Sequence, residues 1–175
     1  KLSFRRGTRR NDKNRNKMTD NEFNTYVKEQ DFIGRDFFEA SFTFWFNNNE
    51  HIRTPFPENI QEELKEKAFR VFMEWVYELS EEEKEKLENE EIAETFEMIL
   101  FNQAMGLVRD EDQKITICYP FLPRLGDVVD DKVKGASKVV GRKVDTNKDE
   151  KKYLKVRLKS ETVLQEWETE FELPA

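Results

Sequence analysis

The chain has 175 residues, 37% of them hydrophobic and 38% charged, with a formal net charge of −7. Fifteen Phe and three Trp supply more apolar surface than disordered chains carry, so a folded core is expected and wholesale disorder is excluded. No run approaches the roughly 20 apolar residues of a membrane span, and a single cysteine, Cys118, excludes an internal disulfide; an intracellular, cytoplasmic protein is the expectation.

Residues 1–17, "KLSFRRGTRRNDKNRNK", set eight Lys/Arg against Asp12 and lack hydrophobic periodicity. A basic leader of this kind is expected to be disordered. Met18 opens "MTDNEFNTYV" in the manner of a natural start, which favours reading the leader as a non-native or upstream extension. The rival reading makes Arg5, Arg6, Arg9 and Arg10 an arginine-rich arm for nucleic acid.

Residues 18–112 read as an acidic, mainly helical part. Thr19 and Glu22 form a capping-box pattern for a short helix over about 20–30, with Phe23, Tyr26 and Val27 on one face. The stretch "DFFEASFTFWF", 36–46, admits two readings. As a strand it would align Phe42, Phe44 and Phe46; as a helix capped by Asp36 it aligns Phe38, Phe42, Trp45 and Phe46. The cap tips the balance toward the helix. Its acidic neighbours argue for core rather than for a base-stacking platform, which needs a positive groove. Burying such rings is worth about 2 kcal/mol each.

From Pro57 to Leu79, Ile60, Leu64, Ala68, Val71, Phe72, Trp75 and Val76 keep a 3.6-residue period. Ser80 and Glu83 form a second capping box, opening a short acidic helix to about Glu88. A further helix from about Glu90 buries Ile92, Phe96, Ile99, Leu100, Ala104 and Leu107, with Gly106 near its end. Short links predict antiparallel packing.

Residues 113–175 read as a small antiparallel β part. Lys114–Tyr119 alternates and is expected as a strand, with Cys118 opposite Ile115 and Ile117; "YPFLPRLGDVV" then breaks any helix and leads into a strand. Val139–Val144, Tyr153–Lys159 and Glu166–Leu173 are the remaining expected strands. The last two form a hairpin, 153–159 with 166–173. Its outer rungs are Lys159–Glu166, Arg157–Glu168 and Lys155–Glu170, and its inner rungs Leu158–Trp167, Val156–Thr169 and Leu154–Phe171. A one-residue slip would set charge against core on every rung. The fold class is therefore α+β: an antiparallel helical part followed by a small antiparallel β-sheet or SH3-like barrel.

Chemistry is sparsely provided for. One His and one Cys cannot assemble a Cys/His zinc site, and the glycines form no phosphate-cradling loop. His51 and Cys118 read as a loop residue and an inert thiol. "DTNKDE", 145–150, begins like a calcium loop, but Glu150 stands where Gly is needed and Val156 where a bidentate Glu should be. No catalytic residue, cofactor or metal is expected. The leading expectation is a non-enzymatic adaptor that contacts another protein through acidic helix surfaces, at Glu62, Glu66, Glu81, Glu82 and Glu83. A nucleic-acid-binding module and an acid-based hydrolase are the alternatives.

Overall fold

The computed structural model describes residues 18–29, 35–48, 53–160 and 165–173. These residues form six α-helices followed by a four-stranded antiparallel sheet curled into a half-barrel. The helices are α1 (Asp20–Glu29), α2 (Arg35–Phe46), α3 (Gln61–Glu78), α4 (Glu81–Lys86), α5 (Asn89–Leu107) and α6 (Glu111–Cys118), and a single 3-10 turn, Glu58–Ile60, leads into α3. The strands are β1 (Val128–Asp131), β2 (Gly135–Thr146), β3 (Lys152–Ser160) and β4 (Glu166–Glu172), in the order β1-β2-β3-β4. No helix among the described residues is long and apolar enough to cross a membrane.

Local sequence sets the helix ends. Thr19 N–H donates to Glu22 Oε2 at 2.8 Å while Glu22 N–H donates to Thr19 Oγ1, and Ser80 with Glu83 repeats the arrangement at α4. The aromatic stretch is helical as α2. Phe38 is buried, Phe42, Trp45 and Phe46 are half-buried against the helical core, and Phe44 faces out. Phe38 meets Phe69, Phe72 and Phe96 edge-on, with ring centroids 4.9, 5.5 and 5.3 Å apart, the orientation that sets a ring's positive edge on its neighbour's face. Leu64, Ala68, Phe72 and Val76 of α3 interlock with Phe96, Leu100 and Ala104 of α5 to complete this core.

A second core lies under the sheet, formed by Ile115, Val139, Leu154, Val156, Leu158 and Leu173. The terminal hairpin has the register its alternation demands, with Lys159 opposite Glu166, Arg157 opposite Glu168, Lys155 opposite Glu170, Leu158 opposite Trp167, Val156 opposite Thr169 and Leu154 opposite Phe171. Its turn, 161–164, lies outside the described residues.

One expected strand is a helix. Residues 114–119 alternate in hydrophobicity, yet Glu111–Cys118 is α6, with Asp110 accepting from Gln113 N–H at its N-cap. Residues two apart on a helix point about 200° apart. Ile115 packs into the sheet core and Ile117 into the helical core, so both are buried on opposite sides of one helix. A period of two thus arises from a helix shared by two cores.

Candidate interaction surface

The half-barrel is tied to α6 by one buried guanidinium. A register shift between Val139 and Gly141 changes the parity of β2, so Arg142 falls opposite Val156 on the inner face. Its side chain is 0% exposed. Arg142 Nε and Nη2 donate to Asp112 Oδ1 and Oδ2, both at 2.7 Å; Nη1 donates to Pro123 O at 2.9 Å, and Nη2 reaches Thr116 Oγ1. The shift also brings Gly141 beneath Arg157, where an added Cβ would lie 3.3 Å from the guanidinium.

The chain from Tyr119 to Asp127, joining α6 to β1, is fixed along its length. Arg124 Nη1 donates to Thr54 O at 2.7 Å, and Nη2 donates to Arg53 O and Pro120 O. Asp127 takes both guanidinium nitrogens of Arg53 at 2.6 Å, and its Oδ2 also accepts the Arg124 N–H at 2.8 Å. These contacts hold the Asp127 carboxyl below its ordinary range, the Arg53 bond chief among them. Burial lowers the Arg124 guanidinium, and the neighbouring Arg53 and Arg142 charges act in the same direction. Gly126, at φ +86°, makes the turn that lets its N–H donate to Val139 O, and Val139 N–H donates back to Asp127 O at 2.8 Å.

This bonding leaves two large apolar side chains pointing outward. Phe121 is 73% and Leu125 48% exposed, and Val128, one residue past the loop, is also exposed. An isolated exposed apolar residue is ordinary. Here three occur within eight positions, on backbone anchored by the partly buried bonds of Arg124 and Arg142 and by the exposed Arg53–Asp127 pair.

The acidic residues singled out in the sequence are placed differently. Glu62 bonds Lys65 at 2.7 Å, Glu81 bonds Lys84 at 2.7 Å, and Glu82 pairs with Lys86. Glu83 accepts from the Ser80 N–H in the capping box of α4. Glu66 is exposed and makes no ion pair with a described residue. Glu62 lies near the start of α3 and Glu81–Glu83 follow its end, about 24 Å away along a helix rising 1.5 Å per residue. The five carboxylates do not converge. Arg5, Arg6, Arg9 and Arg10, and likewise His51, lie outside the described residues.

The basic sequence of the β part is matched within the fold in part, while Lys132, Lys134, Lys138, Lys148, Lys152 and Lys159 make no ion pair with a described residue. Lys155 bonds Asp145 at 3.2 Å and Glu170 at 3.3 Å, Lys151 bonds Glu172 at 2.9 Å, and Arg142 is committed to Asp112. Cys118 is exposed on α6, its Sγ 3.7 Å from Met105 Sδ, and burial of its surroundings pushes the thiol up, away from the reactive thiolate. No group of three His, Cys, Asp or Glu able to hold a metal occurs among the described residues. A shallow hollow of about 390 Å³ is lined by Met18, Asn21, Glu22, Thr25, Tyr26 and Tyr77. Its one carboxylate, Glu22, is occupied in capping Thr19. Glu97, raised by desolvation and by Glu94, lies on the solvent side of α5.

Sequence reasoning missed the Arg142–Asp112 joint and the anchored loop. The joint was hidden by the parity change in β2, which no alternation of apolar residues announces. For the loop, "PFLPRLGD" displayed Phe121 and Leu125 among turn-forming residues, and that juxtaposition was the available signal. Compared with known proteins, the chain matches no family model, no curated protein and no solved structure.

Proposed function

We propose that this protein is a non-enzymatic adaptor that works by protein–protein contact, with the Tyr119–Asp127 loop as its principal contact element. One observation carries the reading: Phe121 and Leu125 project from a loop whose backbone is already fixed by Arg53, Arg124, Asp127 and Arg142. Binding through a pre-ordered loop avoids the entropy cost of fixing it on association. Aromatic anchors entering an apolar pocket are the usual centres of binding energy. The exposed Phe121 and Leu125 side chains fit a partner that offers a concave apolar pocket. The acidic faces of α3 and α4, with most of their glutamates bonded to lysines of the same helix or used as caps, are assigned a solvating role.

The test compares the full chain with a Phe121→Ser/Leu125→Ser variant as bait in lysate of the native host, at two salt concentrations. Circular dichroism first establishes that both are equally folded. The reading expects a defined protein retained by the natural chain at both salt concentrations and lost with the variant. Identical retention by both baits would refute the loop's role. Recovery of nucleic acid alone, released by salt, would replace the adaptor with a nucleic-acid-binding module.

A further inference from the structure

The half-barrel stops at β4, and β4 lies at the edge of the sheet. Two ladder bonds fix the direction in which its backbone points. Ser160 N–H donates to Gln165 O at 3.0 Å, and Leu173 N–H donates to Lys152 O at 2.9 Å. In an antiparallel pair, alternate residues turn both backbone groups toward the partner. Residues 165, 167, 169, 171 and 173 therefore spend theirs on β3. Glu166, Glu168, Glu170 and Glu172 direct their N–H and C=O groups to the free edge.

Proteins usually guard such an edge with charged side chains, a proline, a bulge, a very short strand or an inward-pointing charge. β4 carries the first, a row of glutamates that repels like charge and leaves the edge open to a basic strand, and lacks the others. It runs seven residues without proline, its register with β3 is unbroken, and its inward side chains are the half-buried Trp167, Thr169 and Phe171. Trp167 is held in place by its Nε1–H bond to Ser137 Oγ at 3.1 Å and by Lys134 Nζ 4.1 Å from its ring. The outward row is all glutamate and exposed; Glu166 and Glu170 pair with Arg157 and Lys155 of β3, and Glu172 with Lys151 just before it. Glu168 makes no ion pair with a described residue.

We infer that the free edge of β4 accepts an extended peptide strand alternating basic and apolar residues, which adds antiparallel as a fifth strand of the half-barrel. Its apolar side chains lie over Trp167 and Phe171, and its Lys or Arg side chains stand opposite Glu166, Glu168, Glu170 and Glu172. The choice of partner follows from charge complementarity, and β3 already shows the solution by placing Lys155, Arg157 and Lys159 across from these same residues. A second copy is the wrong occupant, because pairing β4 with itself sets glutamate against glutamate. This surface is distinct from the Tyr119–Asp127 loop, and either can fail without the other.

The test uses the full ¹⁵N-labelled chain and an acetylated nine-residue peptide of alternating Lys and Val. Two controls are an alternating Glu and Val peptide and a Lys–Val peptide N-methylated at every lysine, since antiparallel addition places the lysine amides against β4. The expected result is slowed hydrogen exchange at the amides of Glu166, Glu168, Glu170 and Glu172 with the parent peptide. Binding should fall at least tenfold with either control, and likewise for the parent peptide with Glu168→Lys/Glu170→Lys protein. Three results overturn the inference: no protection by the parent peptide, equal binding by the N-methylated peptide, or protection of these amides by self-association without peptide.

Discussion

Replacing Asp112 by Ala removes the carboxylate from a guanidinium whose side chain is 0% exposed. Breaking a fully buried ion pair on one side typically costs 3–5 kcal/mol. Asp112 is 28% exposed, so water enters the gap and the lower end applies, about 3 kcal/mol. Arg142→Met strands no fully buried charge; it strips donors from Pro123 O and leaves the Asp112 carboxylate unpaired but partly solvated, at a cost of about 2 kcal/mol. The double variant should cost about 2–3 kcal/mol rather than the sum, because removing both partners leaves nothing buried and unpaired. Urea unfolding followed by tryptophan fluorescence measures all four corners of the cycle, with m-values checked for constancy. A double variant that costs the sum of the singles, within about 0.5 kcal/mol, would refute a coupled joint between α6 and β2.

Asp127 gives a pH dependence of known sign. Its pKa is depressed in the fold, so its contribution is present above the ordinary carboxylate pKa of about 3.9 and is lost as pH falls through the lower folded value. The protection of the Gly126 and Val139 amides, taken relative to the intrinsic exchange rate at each pH, should therefore fall in acid, and Asp127→Asn should remove that acid step; an unchanged acid profile in the variant would count against the assignment. Gly141→Ala should change stability by less than about 0.5 kcal/mol, because the close atom belongs to the half-exposed, mobile end of Arg157 and the strand loses glycine's extra freedom. Thermal unfolding measures it directly, and a loss above about 2 kcal/mol would mean that the guanidinium is fixed there.

Much of the fold was legible because local and tertiary signals agreed. Ser80 with Glu83 announced the start of α4, and the alternation within 153–159 and within 166–173 set the hairpin register rung by rung. The cap at Asp36 and the Phe38, Phe42, Trp45, Phe46 face placed the aromatic stretch on a helix against the core. Reasoning from pattern went astray at residues 114–119, because periodicity reports which side chains are buried and not how many cores receive them. Asp110 followed by Glu111 and Asp112 was the helix-start signal that should have outweighed alternation. The candidate surface was less legible. Glutamate count suggested an acidic face on α3 and α4, but lysines three or four residues away pair with much of it. The outward setting of Phe121 depends on Arg53 and Arg142, remote in sequence, and no short window contains that information.

The central claim is that Phe121 and Leu125 seat in a partner's apolar pocket. A photo-crosslinking residue placed at position 121 of the full chain, expressed in the native host, tests it most directly against the same probe at Glu66. The account predicts one dominant protein adduct from position 121, competed away by excess natural chain and not by the Phe121→Ser/Leu125→Ser variant. A dominant protein adduct from Glu66 with none from position 121 would contradict it and return the contact to the acidic face of α3.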